Sequence, residues 1–147
     1  MLPIAQVTNT ILAIGVPAES KITSLKEMVA RMKAAPGKFN VALVPGITEL
    51  VFDGFVKKED VSVTKVPYRN IVEGVNDLSV GRLQMMMAAY AILQPGIEGK
   101  TVRPLAVAGR DRFSGAPDLP TARESGVPSL EMEGLVGLLG PKMMPLE

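Results

Sequence analysis

Short apolar runs alternate with capped amphipathic segments along this chain, and that alternation limits the fold more than any other feature. Residues 11–16, 39–44, 61–66, 83–88, 102–108 and 130–139 are apolar runs of strand length, most of them stopped by Pro or Gly. The segments between them carry helical periodicity. Ser24-Leu25-Lys26-Glu27 is a capping box, and the helix it opens has Leu25, Met28, Val29 and Met32 on one face before Pro36-Gly37 ends it. A second helix is predicted over residues 48–58, with Leu50, Val51 and Phe55 inward and Asp53/Lys57 as an i,i+4 pair. Asn70-Ile71-Val72-Glu73 opens a third helix, and residues 91–97 form a short fourth one disturbed by Pro95. Thr121-Ala122-Arg123-Glu124 caps a single turn ended by Gly126 and Pro128. Strands alternating with helices predict right-handed βαβ units, hence an α/β fold with a mainly parallel sheet and helices on both faces.

Composition narrows the chemistry. The 147 residues include no cysteine and no histidine, which removes thiolate nucleophiles, imidazole acid–base groups and the commonest zinc ligands. No metal and no cofactor is expected. The formal net charge is +1 and the longest basic run is Lys57-Lys58, so nucleic-acid binding has no electrostatic footprint. The opening Met1-Leu2-Pro3-Ile4 lacks the charged and apolar regions of a signal peptide, and no stretch is long and apolar enough to span a bilayer. Leu146-Glu147 is a dipeptide common between a cloned chain and a purification tag, and is set aside from the fold.

In open α/β sheets, ligands bind beyond the C-terminal ends of the strands. Three loops satisfy that rule: Val44-Pro45-Gly46-Ile47-Thr48, Pro67-Tyr68-Arg69-Asn70 and Ala88-Ala89-Tyr90-Ala91. Each leads into a helix N-terminus, whose free N–H groups and dipole suit a carboxylate. Gly46 permits close backbone approach, Thr48, Tyr68 and Tyr90 carry hydroxyls, and Arg69 is a potential bidentate partner for an acid. The ligand-binding candidates are therefore Pro45, Gly46, Ile47, Thr48, Tyr68, Arg69, Ala88, Ala89 and Tyr90. Blander roles compete at each: Thr48 and Asn70 are ordinary N-caps, Pro45-Gly46 is a common turn, and surface arginines are usually solvated. No G-x-x-x-x-G-K-[ST], G-x-S-x-G or strand-borne G-x-G-x-x-G occurs. A catalytic reading would need Glu49 or Glu73 as base and Tyr68 or Arg69 as electrophile. The reading favoured by the residues is a non-catalytic binding site.

An ordered set of motifs adds to this. Val66-Pro67-Tyr68-Arg69, Gly81-Arg82-Leu83-Gln84-Met85-Met86, the run 100–108, and Ala116-Pro117-Asp118-Leu119-Pro120-Thr121-Ala122-Arg123-Glu124-Ser125-Gly126 follow one another. Together with Pro3-Ile4-Ala5-Gln6-Val7 and residues 24–40, this resembles the Bug-type substrate-binding receptors of tripartite tricarboxylate transporters. The resemblance implies a periplasmic two-lobed, type II binding-protein fold that takes small carboxylates and passes them to membrane components of the transporter. It implies that residues 1–16 cross from a first lobe, that 17–129 form the second, ligand-binding lobe, and that 130–145 return toward the first. On that division the single lobe binds weakly, and self-association through surface facing the first lobe is compatible with it. The chain departs from the family pattern where Val44-Pro45-Gly46-Ile47-Thr48-Glu49 replaces a longer Ser/Gly-rich loop ending near a His, and where Ala88-Ala89 replaces Asp then Asn. The second change argues against a ligand with an ammonium group. A ligand-sensing effector domain of a regulator shares the same architecture, and a helix-turn-helix or basic segment, absent from this sequence, would mark it.

Overall fold

A computed structural model describes residues 2–140. The expectations for the segment 141–147 fall outside the described residues. Seven strands and four α-helices follow one another: β1 (Leu2–Thr10), β2 (Leu12–Pro17), α1 (Leu25–Ala34), β3 (Asn40–Leu43), α2 (Ile47–Glu59), β4 (Thr64–Lys65), α3 (Ile71–Ser79), β5 (Met85–Ala89), α4 (Tyr90–Glu98), β6 (Val102–Val107) and β7 (Gly134–Gly140). Five strands form one sheet in the order β4-β3-β5-β2-β6, and β1 and β7 form a separate antiparallel ribbon.

The sheet is mixed. β3 pairs parallel with β4 and with β5, whereas β2 pairs antiparallel with both β5 and β6. Four strands therefore run one way and β2 alone runs the other, so the first strand–helix–strand unit is not the parallel βαβ unit predicted for it. Directionality is invisible in a six-residue apolar run, because a strand reads the same whichever way its neighbours point.

The two faces follow from the period of two along each strand. Leu12, Ile14 and Val16 of β2, Val41 and Leu43 of β3, and Met85 and Met87 of β5 pack with α1 and α2 into one cluster. Ala13, Ala42, Met86 and Ala88 face the other way and pack with Val75 and Leu78 of α3 and Leu93 of α4. The small residues on the second face admit α3 and α4 close to the sheet. Met85, Met86 and Met87 are all fully buried, as a strand covered on both sides requires.

α1 matches its sequence closely. Leu25, Met28, Val29 and Met32 are its buried residues, and the Ser24 hydroxyl accepts from the Glu27 N–H. The Glu27 carboxylate accepts from the Thr23 N–H, one residue before the box position. α2 corrects its prediction. Its buried residues are Thr48, Phe52 and Phe55, while Leu50 is 68% exposed. The stripe 48-52-55 is an i, i+4, i+7 face that two aromatic rings fix, and Leu50 then falls outside it. Asp53 pairs with Lys65 of β4 at 2.5 Å rather than with Lys57. Thr121 and Glu124 form a reciprocal capping box at 2.8 and 3.1 Å around a turn too short to count as a helix.

Candidate functional site

β3, β4, β5 and β6 all end on one edge of the sheet. β2, being reversed, begins there, with Leu12 opposite Ala89 and Ala13 opposite Val107. β3 and β5 are neighbours, but the helices that follow them diverge. α2 covers the first face and leads to β4 on one side, and α4 covers the second face and leads to β6 on the other. A crevice opens where adjacent strands send their connections to opposite sides, and ligands of open α/β sheets sit at such points. The loops Val44-Pro45-Gly46 and Ala89-Tyr90 flank it.

Neither helix start is capped by a side chain. The N-cap of α2 is Gly46 and that of α4 is Ala89. At α2 the Glu49 and Leu50 N–H groups bond back to the Gly46 carbonyl, and at α4 the Tyr90 N–H donates to the Ile11 carbonyl. The first-turn amides of Ile47 and Thr48 have no acceptor among the described residues, and the starts of α2 and α4 present their positive ends on either side of the β3–β5 switch point. α3 differs: the Asn70 side chain accepts from the Val72 N–H. Gly46 has φ 111° and ψ −132°, a conformation confined to glycine, although a Cβ there would meet nothing within 4 Å.

A pocket of about 490 Å³ opens beside Ala89 and Tyr90, lined also by Asn9, Thr10, Ile11, Ala91, Gln94, Ile97, Glu98, Phe113 and Gly115. Tyr90 and Phe113 stack at a tilt, with ring centroids 5.0 Å apart. The ribbon leaves the sheet at this same edge, since Thr10 and Ile11 precede β2 and the Met132 N–H donates to Ala108 just beyond β6. Arg110, 3.8 Å from both Glu131 and Glu133, ties the ribbon root to the loop after β6.

The sequence candidates divide. Pro45, Gly46 and Ile47 are exposed in the loop after β3, Pro45 lining a second pocket with Tyr68, and Ala89 and Tyr90 line the first pocket half-buried. Thr48 is 3% exposed and its hydroxyl donates to the Val44 carbonyl, the back-bond a helical threonine makes to residue i−4. It holds the loop and turns away from the ligand side. It is also not the N-cap, a place Gly46 takes. Ala88 is buried in the second core. Tyr68 packs against Gly74, and its hydroxyl donates to Asp77 at 2.7 Å. Asp77 also pairs with Arg82 at 3.0 Å. Arg69 is exposed at the turn. Glu49 lies 3.5 Å from Lys65, and Glu73 is exposed on α3. Glu49 and Tyr68 line the second pocket, of about 310 Å³, together with Pro45, Lys65 and Pro67; there the Tyr68 hydroxyl is bound to Asp77 and Glu49 faces Lys65.

Desolvation, followed by the Asp77 bond and charge, pushes the Tyr68 phenol up to about 12. The same bond from Tyr68, with that from Arg82, lowers the Asp77 carboxyl. The sign follows from the raised phenol: its contribution is complete below the ordinary value near 10 and is lost as pH climbs through about 12. Tyr68→Phe is expected to cost about 1 kcal/mol and to remove the upper phenolate step from an absorbance titration at alkaline pH. A wild-type titration with no phenolate step above the ordinary tyrosine range contradicts the bond.

The pocket also brings in Asn9, Thr10, Ile11, Gln94, Ile97, Glu98 and Phe113, which the sequence did not single out. Gln94 and Glu98 follow Tyr90 at i+4 and i+8, a spacing that could have named them. Phe113 lies in the loop after β6, another parallel strand end to which the same rule applies. Asn9 and Thr10 reach the site only because β2 is reversed.

A mixed sheet with helices on both faces, and a ribbon leaving beside its strand ends, is a fold this chain shares with solved proteins. Solved binding proteins share this fold: BugD superposes with TM-score 0.83 at 25% identity over 97% of this chain, and an R. palustris protein solved with adipate superposes with TM-score 0.85 at 24% identity over 98%. The chain belongs to the tripartite tricarboxylate transporter family receptors, whose family model matches residues 1–147. A UPF0065 protein of the tcbD-tcbE intergenic region of a Pseudomonas species is 30% identical over 133 residues, 88% of this chain. This chain spans 40% of that protein, 48% of BugD and 49% of the adipate-bound protein.

Proposed function

We propose that this chain is a ligand-binding lobe of a periplasmic solute receptor that takes small organic acids, carries out no chemistry on them and delivers them to a tripartite transporter. The observation that carries the reading is the pair of helix starts without a side-chain cap, Gly46 at α2 and Ala89 at α4, on either side of the β3–β5 switch point. A carboxylate placed there accepts from backbone N–H groups and is stabilised by two helix dipoles without any cationic side chain. Family membership and the adipate-bound structural relative support the same ligand class.

The site residues in this account are Pro45, Gly46, Ile47, Ala89 and Tyr90, with Thr48 and Tyr68 acting as supports. The β1–β7 ribbon is the connection through which residues 17–129 join a first lobe, and hinge closure at the ribbon covers the crevice. Holding one side of the cleft, the lobe alone binds with millimolar to micromolar affinity. The test is thermal unfolding of the chain with an organic acid and with its uncharged amide. At ligand concentrations about tenfold above Kd the acid is expected to raise stability by roughly 1.4 kcal/mol, a shift in Tm of about 3–6 °C for a domain of this size. An equal shift with the amide, or none with any acid, rejects the reading. Gly46→Ala is expected to lower stability by about 1–3 kcal/mol through its backbone conformation alone, and to weaken the acid's effect.

A further inference from the structure

The groove along α4 says more about the ligand than its carboxylate. From Tyr90 the lining runs through Gln94 to Ile97 and Glu98 on α4, with Ile11 and Phe113 contributed from outside the helix. Tyr90 and Glu98 stand about 12 Å apart along the axis at 1.5 Å rise per residue. One end of the groove is the uncapped, electropositive start of α4. The other holds the Glu98 carboxylate, bonded to Gln94 at 2.8 Å, beside the electronegative end of the same helix. Between them lie the aromatic pair and two isoleucines. Among the described residues that line it, none is a lysine or arginine.

We infer that the site selects monocarboxylates with an apolar body and rejects dicarboxylates of the same length. This rests on the carboxylate reading above and deepens it. The acid group sits at the N-terminal end of α4, and the hydrocarbon body displaces water from Tyr90, Phe113 and Ile97. A second carboxylate lying along the groove would face the exposed Glu98 carboxylate and a helix C-terminus, with no cation in the lining to offset the repulsion. Tyr90, Phe113 and Glu98 are the specificity-determining residues, and Glu98 acts by repulsion.

Hexanoate and adipate isolate the effect, since they differ by one terminal carboxylate. Affinities of both, and of hexanamide, are measured by NMR titration of the chain up to tens of millimolar ligand. Hexanoate is expected to bind about tenfold more tightly than adipate. Glu98→Gln is expected to close most of that gap by improving adipate several-fold more than hexanoate. Phe113→Ala is expected to weaken hexanoate by about tenfold, the order of one aromatic contact surface. Adipate binding as well as hexanoate in the unaltered chain overturns the selectivity while leaving the carboxylate reading intact. So does a Glu98→Gln chain with an unchanged ratio. Hexanamide binding as well as hexanoate, or no response to either acid, overturns both.

Discussion

Phe52→Ala is expected to lower the unfolding free energy by about 3–5 kcal/mol, a large part of the roughly 5–15 kcal/mol that holds a domain of this kind together. Phe52 and Phe55 are fully buried, their ring centroids 5.2 Å apart, in the cluster that joins α1 and α2 to the first face of the sheet. Truncation to alanine removes the ring's burial and leaves a void that rigid neighbours on β3 and β5 fill only in part. Phe52→Leu keeps most of the volume and is expected to cost less than half as much. Leu50→Ala, two residues away and on the exposed side of α2, is expected to stay within about 0.5 kcal/mol. Urea unfolding of the three variants separates the account from one in which Leu50 faces the core. Equal losses for Phe52→Ala and Leu50→Ala would contradict the observed helix face.

Gly96→Val is expected to reduce both stability and ligand binding. A Cβ at Gly96 would lie 2.6 Å from Val102 Cγ2 and 3.1 Å from Val102 Cβ, and Val102 is 3% exposed in the second core. A branched, buried neighbour that short of torsions cannot swing aside, so α4 must lift from β6. Overpacking of this kind costs about 1–3 kcal/mol. The same lift moves Ala89, Tyr90 and Ala91, because Gly96 sits on the helix whose start forms half the crevice. Small displacements at a site held by backbone N–H groups are costly, since hydrogen bonds weaken steeply with angle. Gly96→Ala is expected to show a smaller version of both effects, and adding Val102→Ala to restore most of the loss, a coupling that independent sites do not show. An unchanged Tm and affinity in Gly96→Val would mean that α4 is not seated against β6 as described.

How much of this could be read before the fold was known differs by element. The face of α1 was legible because four apolar residues at helical spacing leave one choice. That of α2 was not, because Leu50, Val51, Phe52 and Phe55 spread apolarity around the helix, and the aromatic residues won by volume. The strand ends were located well, and Gly46 and Ala89 are the N-caps of the helices that follow two of them. The reversed β2 was hidden, and with it the arrival of Asn9, Thr10 and Ile11 beside Tyr90. The hydroxyls of Thr48 and Tyr68 were legible as chemistry but not as destinations. Each found a partner inside its own lobe, Val44 for one and Asp77 for the other. Sequence spacing gives the position of a side chain, and only packing decides what its polar atom meets.

On the proposed function, backbone amides at the starts of α2 and α4 receive the ligand's carboxylate. An amide-resolved NMR titration of the chain with hexanoate tests it directly. The expected result is that the N–H resonances of Ile47, Thr48, Ala91 and Ile92 move most, in one saturable process, while hexanamide leaves them in place. Perturbations centred elsewhere, such as on the Tyr68-Arg69 turn or the β1–β7 ribbon, would contradict the claim.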